Sequence, residues 1–395
     1  MKKKIFILGS TGSIGKTTLN IIRKNKKKYN IKLLTTNNNV NKVLNQSLEF
    51  NVKNVVINNK VKYKNYKSKF KKNKINVFFN INDAIKKINK KVDYTINAIS
   101  GIEGLEPTID IIKYTKHIAI ANKESIICGW KFIEKNLKKN NTNFIPIDSE
   151  HFSIWSLIKE ENKKNIKKIY ITASGGPFLK KKINNLKNIK PKSALNHPNW
   201  KMGKKISIDS ATMMNKIFEV IEAKKIFNLG IDKFNIIIHP KSYIHAIVNF
   251  KNGLIKILVH DTNMEIPIIN SINYNKEIFE YNNKDINFNK LNGINFLNPD
   301  IKKYPSLKLL KLIPKKFSYF ETILITLNDE LVKNYLKNKI SYFSIIKILM
   351  KMIKTPYFCK FYHYSPNSIN DIKSMVGKVK SYLNIYLKKY ENYSE

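Results

Sequence analysis

The sequence predicts an α/β fold, and three observations predict it. Short apolar runs alternate with helical periodicity through residues 1–147, the pattern of a parallel sheet with crossover helices. A glycine loop, Gly9-Ser10-Thr11-Gly12-Ser13-Ile14-Gly15, follows the first apolar run and precedes an amphipathic stretch. From residue 305 onward the pattern is helical, without a convincing strand.

Taken in order, strands are expected at 4–8, 31–35, 54–57, 94–98, 117–120 and 143–146. The texture changes over 148–270. Helical pieces should follow Ser149 and Met213, and β-rich runs occur at 168–172, 235–239 and 246–250. Residues 174–204 are rich in Gly, Pro, Lys and Asn, with one helix-like piece at most, and read as a lid loop. Residues 271–304 read as a polar connector, and 305–395 as a helical domain with Asn and Ser in capping positions at 365–368.

Composition narrows the function classes. The formal charge is +45, yet Arg23 is the only arginine, so almost all of the 73 basic residues are lysine. Lysine, asparagine and isoleucine share A/T-rich codons, and the lysines run along the whole chain. A nucleic-acid surface would use arginine for bidentate contacts. No nucleic-acid partner is therefore expected. Cys128 and Cys359 have no metal or redox spacing, which fits a reducing compartment. No apolar run approaches a membrane span, and Met1-Lys2-Lys3-Lys4 leads directly into the first strand. No membrane partner and a cytoplasmic location are expected.

The glycine loop has the spacing G-x-x-G-x-x-G, a relative of the Rossmann dinucleotide fingerprint. Glycines let the backbone approach a pyrophosphate that a helix N-terminus attracts. A tight turn without a ligand is the alternative. After the second strand, Thr36-Asn37-Asn38-Asn39 offers no acid for a ribose 2′-hydroxyl, which tilts the reading towards NADP. Lys42 is the nearest cation. Ala121-Asn122-Lys123-Glu124-Ser125 follows a strand, so these polar residues lie where open sheets bind ligands, or else begin a capped helix.

Asp148 and Glu150 are two apart; on extended backbone both side chains leave on one side and reach one ion. All-oxygen ligands favour Mg²⁺ or Mn²⁺. A helix N-cap is the alternative there. Further on, Ser210, Asn215 and Lys216 supply what a phosphate needs, neutral donors and a point charge. If a helix starts at Met213, Asn215 and Glu219 share one face. Ser174-Gly175-Gly176-Pro177 and His197-Pro198-Asn199-Trp200 bracket the long loop, where Trp200 either covers a ligand or anchors the loop. His239 and His245 have no metal spacing and are expected to be satisfied buried histidines.

Gly-Ser-Thr-Gly-Ser-Ile-Gly, Ala-Asn-Lys-Glu-Ser, Asp-Ser-Glu-His, Ser-Gly-Gly-Pro-Phe, His-Pro-Asn-Trp-x-Met-Gly and Asp-Ser-Ala-Thr-Met-Met-Asn-Lys follow one another in this order. In this the chain closely resembles the 1-deoxy-D-xylulose 5-phosphate reductoisomerase family, from residue 5 to about 260 and through Tyr304-Pro305 into the tail. The resemblance implies an NADPH domain, a central α+β catalytic domain carrying a homodimer interface, and a C-terminal helical domain. It implies that Thr11, Gly12, Ser13, Ile14, Asn122, Glu124 and Gly203 contact NADPH, with the ribose pocket at Asn37, Asn38 and Asn39. Asp148, Glu150 and Glu219 would hold one divalent ion per subunit. Ser174, Ser210, Asn215 and Lys216 would bind the substrate phosphate, with Lys123, Ser149 and His197 at its hydroxyl and carbonyl end and Trp200 over it. The implied reaction is a rearrangement of the carbon skeleton, then hydride transfer, with Lys123 a candidate proton carrier. This chain has Asn37-Asn38-Asn39 where the family has Gly-Lys-Asn, and Ile217 where the family has a glycine.

Overall fold

The computed structural model describes residues 2–186, 189–200, 202–274 and 288–391. They form two compact units, Met1–Phe152 with Asn263–Asn282, and Ser153–Thr262 with Asn283–Glu395.

The first unit is built on a parallel seven-stranded sheet. Its strands are β1 (Lys3–Leu8), β2 (Tyr29–Thr36), β3 (Asn54–Ile57), β4 (Asn76–Phe78), β5 (Val92–Asn97), β6 (Thr115–Ile120) and β7 (Asn143–Phe144). They lie in the order β4-β3-β2-β1-β5-β6-β7. Helices cover both faces, which is why Ile5, Phe6, Ile7 and Leu8 are all buried and read as one unbroken apolar run. The strand order reverses between β1 and β5, so the carboxyl ends of those strands form the switch point where such sheets bind ligands. All six expected strands are present. The missed β4 has only three residues and lies in a Lys/Asn-rich stretch without a periodic signal.

The helix Glu265–Ile272, which the sequence reading did not name and which spans the expected boundary at 270, packs on this first unit. Tyr94 and Ser271 share a buried hydroxyl hydrogen bond of 2.6 Å, and Lys3 Nζ donates to Ile272 O at 2.8 Å. The lone arginine is structural: Arg23 Nε and Nη2 clasp Glu49 at 2.5 and 2.9 Å.

The second unit contains a four-stranded sheet, order β11-β10-β8-β9. Its strands are β8 (Ile166–Ala173), β9 (Phe234–Ile238), β10 (Ile244–Phe250) and β11 (Ile255–Val259). β9 runs parallel to β8, whereas β10 and β11 are antiparallel to their neighbours. The helices Tyr319–Leu336, Tyr342–Met352 and Ile369–Glu391 form the tail. Each starts at a serine cap, most completely at Ser318, whose partner Glu321 closes a reciprocal capping box. Ser368 Oγ accepts from Asp371 N, and the Asp371 carboxylate accepts from Asn367 N and Ser368 N, the capping expected at 365–368. The described residues of 174–204 carry two single-turn pieces, Ile183–Leu186 and Pro191–Ala194, one more than expected. Of the expected connector, 275–287 lie outside the described residues. Among the described residues no helix is long and apolar enough to cross a membrane.

Candidate active site

In the first unit the glycine loop joins β1 to the helix Ser13–Lys24. Gly9 has φ +74, and a side chain there would meet the Ala98 carbonyl at 2.7 Å. A Cβ on Gly15 would lie 2.5 Å from the Gly9 carbonyl and from Ser10 Cα, so this glycine lets the helix start directly over the loop. Gly12 is different: a Cβ there meets only ordinary contacts. It caps the helix without a side-chain acceptor, and no acidic residue occupies the first turn. The donor-rich, acid-free helix start suits a pyrophosphate. Thr11 is fixed by Thr36, their hydroxyls 3.0 Å apart.

At the end of β2, Asn38 Oδ1 accepts from Asn59 Nδ2 at 2.9 Å, and Asn39 caps the helix Val40–Glu49 without a side-chain bond. Lys42, in that helix's first turn, lies against Lys16. Slight burial and then this like charge lower its ammonium pKa. After β6, the helix Lys123–Asn140 is capped by Asn122, whose Oδ1 accepts from Ser125 N at 2.7 Å. Its Nδ2 donates to the carbonyls of Ile99 and Gly101. The Asn122 amide therefore orders the loop after β5. Glu124 is buried in the helix's first turn.

Lys123 Nζ is ion-paired to Asp148 Oδ2. The expectation that Asp148 and Glu150 lie on extended backbone is corrected. The helix Ser149–Ile158 begins at once, with Phe152 N donating to Asp148 O at 2.8 Å, so Glu150 is a first-turn residue. The N-cap reading of this segment holds. Ser149 Oγ donates to Glu150 Oε2 at 2.6 Å. Burial pushes the Asp148 carboxyl up, but the Lys123 ammonium, His151 and hydrogen bonds from Glu150 and Lys123 hold it well below the carboxylate range.

In the second unit, Ser174 and Gly175 follow β8. His197 Nδ1 accepts from Asn199 N at 3.2 Å and Trp200 N at 3.0 Å, so its proton is on Nε2, which donates to Ser174 Oγ at 2.9 Å. Burial and then the Lys216 charge lower the His197 pKa to about 4. Asn199 Nδ2 ties the loop to Pro240 O and Ser242 Oγ at 2.7 and 2.9 Å, and the Trp200 ring stands edge-on to His245, centroids 6.0 Å apart. Gly203 caps the helix Lys204–Ala211 with open space where a Cβ would be.

Ser210 lies in the last turn of Lys204–Ala211. Met213 then adopts φ +64, and the helix Met214–Phe227 begins, with Asn215 and Lys216 in its first turn. Asn215 and Glu219 pair across one turn as expected, Nδ2 to Oε1 at 2.5 Å, and Lys216 Nζ donates to Glu219 Oε2 at 2.7 Å. Glu219 is 1% exposed, a buried carboxylate held by two donors. Ile217, where the family has glycine, is buried within this helix and needs no glycine conformation. His245 Nε2 bonds to His260 O at 3.1 Å as a satisfied histidine; His239 Nδ1 bonds to Asn295 O, but its buried Nε2 has no partner among the described residues.

A glycine loop at the switch point of a doubly wound parallel sheet marks a dinucleotide-dependent enzyme. Comparison with known proteins makes the class specific. The family model for 1-deoxy-D-xylulose 5-phosphate reductoisomerase matches residues 5–129, and two models of its C-terminal domains match 144–227 and 260–382. The reductoisomerase of Pelagibacter ubique is 52% identical over 376 residues, covering 94% of this chain and 96% of that protein. That of Clostridium novyi is 36% identical over 387 residues, covering 96% and 98%. The solved reductoisomerase of Zymomonas mobilis in complex with NADPH superposes with TM-score 0.87 at 30% identity, covering 98% and 99%. A reductoisomerase solved with NADPH, fosmidomycin and magnesium gives 0.89 at 31%, covering 98% of each chain. The chain belongs to the 1-deoxy-D-xylulose 5-phosphate reductoisomerase family.

Proposed function

We infer that the protein converts 1-deoxy-D-xylulose 5-phosphate to 2-C-methyl-D-erythritol 4-phosphate in non-mevalonate isoprenoid biosynthesis, using NADPH and a divalent ion. The observation that carries the reading is the helix Met214–Phe227. It presents Asn215 and Lys216 in its first turn and Glu219 one turn later, in a chain 52% identical over 376 residues to the reductoisomerase of Pelagibacter ubique. Product formation from that substrate and NADPH tests it.

Ser174, Ser210, Asn215 and Lys216 bind the phosphate. Neutral His197 keeps Ser174 in place by donating to its Oγ, which leaves the serine hydroxyl proton for a phosphate oxygen. Binding there, remote from the reacting carbons, supplies energy for closing residues 174–204 over the substrate, with Trp200 excluding water. Asp148, Glu150 and Glu219 form the ligand set for Mg²⁺ or Mn²⁺; the all-carboxylate donor chemistry supports it. A divalent ion so held supplies Lewis-acid polarisation of the substrate oxygens. Lys123 and Ser149 stand beside Asp148 and Glu150, ready to hold or move a proton at the substrate's hydroxyl end. Thr11, Gly12, Ser13, Ile14, Asn122, Glu124 and Gly203 bind NADPH, which supplies the hydride. Lys42 beside Lys16 offers the 2′-phosphate the cation that Asn38 lacks.

The protein is a homodimer through the second unit's sheet. Edge strand β11 leaves Ile255, Ile257 and Val259 exposed on one face at 60%, 48% and 37%, an apolar edge that a second copy would cover. The free thiols Cys128 and Cys359 fit a reducing, cytoplasmic setting. The resemblance divides the chain into NADPH-binding (1–147), catalytic (148–270), connector (271–304) and helical (305–395) segments, whereas the compact units place Asn263–Asn282 with the first.

A further inference from the structure

Three tyrosines around the helical tail donate to backbone carbonyls of the segments that carry the phosphate-side residues. Tyr304 OH donates to Gly175 O at 2.8 Å, Tyr335 OH to Ile189 O at 2.9 Å and Tyr342 OH to Ala211 O at 2.6 Å. Ser306 Oγ adds a bond to Thr212 O at 2.7 Å, and Asn328 Nδ2 one to Asp209 Oδ1 at 2.8 Å. All of these lie within the second unit.

The carbonyls involved are not arbitrary. The helix Lys204–Ala211 ends where Met213 enters the left-handed region at φ +64, and a new helix starts one residue later. Methionine does not favour that conformation, so the surroundings must impose it. The break leaves the carbonyls of Ala211 and Thr212 at a helix end, where no later turn can bond them. Tyr342 and Ser306 satisfy these two. A buried carbonyl left without a partner costs a large part of a domain's margin. Gly176 packs on the same break, since a Cβ there would lie 2.9 Å from Ser210 O. Tyr342 touches both sides of the arrangement, its ring edge-on to Phe178 at 5.3 Å and its hydroxyl on Ala211.

We propose that Tyr342, with Ser306 and Tyr304, is a positioning residue for the substrate phosphate. These residues clamp the break at Met213, so that Ser210 at the end of one helix keeps its spacing from Asn215 and Lys216 at the start of the next. Tyr304 holds the Gly175 carbonyl beside Ser174. The helical tail thereby acts on substrate affinity without touching substrate. The inference rests on reading Ser210, Asn215 and Lys216 as the phosphate site.

Tyr342→Phe keeps the ring against Phe178 and deletes only the hydroxyl. Steady-state kinetics, inhibition by inorganic phosphate, NADPH affinity and melting temperature are measured together, with Ser210→Ala alongside. The expected result is a rise of about threefold to tenfold in substrate KM and phosphate Ki. kcat should stay within about twofold, and NADPH affinity should not change. Unchanged KM and Ki with a lowered melting temperature would overturn the clamp and leave Tyr342 a stability residue. If Ser210→Ala also leaves phosphate inhibition unchanged, the phosphate-site reading itself fails. Should Tyr342→Phe not fold, Ser306→Ala and Tyr304→Phe are held to the same outcomes.

Discussion

His197 donates its Nε2 proton to Ser174 Oγ at 2.9 Å, while its Nδ1 accepts from the backbone of Asn199 and Trp200. One neutral imidazole thus ties the start of the long loop to its end.

That arrangement has a pH dependence. The His197 pKa is lowered to about 4 in the folded protein, against about 6.5 unfolded. As pH falls through that window the unfolded chain takes up the proton first, so stability falls from about 6.5 down to about 4 and is intact above it. Protonating Nδ1 also removes the acceptor for Asn199 and Trp200. Melting temperature followed over this range should decline in the wild type and decline less in His197→Gln. Identical slopes would show that His197 does not carry the effect.

Trp200 offers a second test. Its ring makes one edge-on contact with His245, and its backbone is held by His197. Trp200→Ala should lower kcat/KM by roughly 10- to 100-fold. The melting temperature should shift by less than about 2 °C. A fully active variant that melts much earlier would make Trp200 an anchor of the loop rather than a cover.

Much of this was legible in the sequence, for reasons that differ by residue. The run Ile5–Leu8 announced a strand buried on both faces, and the spacing of Asn215 and Glu219 announced a shared helix face. β11 was missed because Lys256 interrupts its apolar residues on an exposed edge. The extended reading of Asp148–Glu150 failed because an N-cap serves a helix start with the same residue types. The left-handed Met213 carries no sequence signal. Nor do Tyr304 and Tyr342, whose partners are backbone carbonyls 129 and 131 residues away.

Cofactor preference tests the ribose pocket. Asn38 is bonded to Asn59 and brings no charge, whereas Lys42 stands beside Lys16. A charge-assisted contact to the 2′-phosphate is worth about 1.5–3 kcal/mol. Asn38→Lys should therefore raise the NADPH-to-NADH ratio of kcat/KM, and Lys42→Ala should lower it. If NADH is preferred by the wild type, or neither variant moves the ratio, the pocket is not at residues 37–42.

Glu219 tests the metal. Glu219→Gln keeps the shape of a side chain that is 1% exposed and bonded to Asn215 and Lys216, but removes its charge. The Mg²⁺ concentration for half-maximal activity should rise by about 100-fold or more. An unchanged metal requirement would remove Glu219 from the ligand set.

The most direct measurement is NADPH oxidation by the purified protein with 1-deoxy-D-xylulose 5-phosphate, with and without Mg²⁺ or Mn²⁺. The predicted result is oxidation only when substrate and divalent ion are both present, with one 2-C-methyl-D-erythritol 4-phosphate formed per NADPH consumed. No oxidation with all components present, or oxidation that proceeds equally in excess chelator, would contradict the assignment.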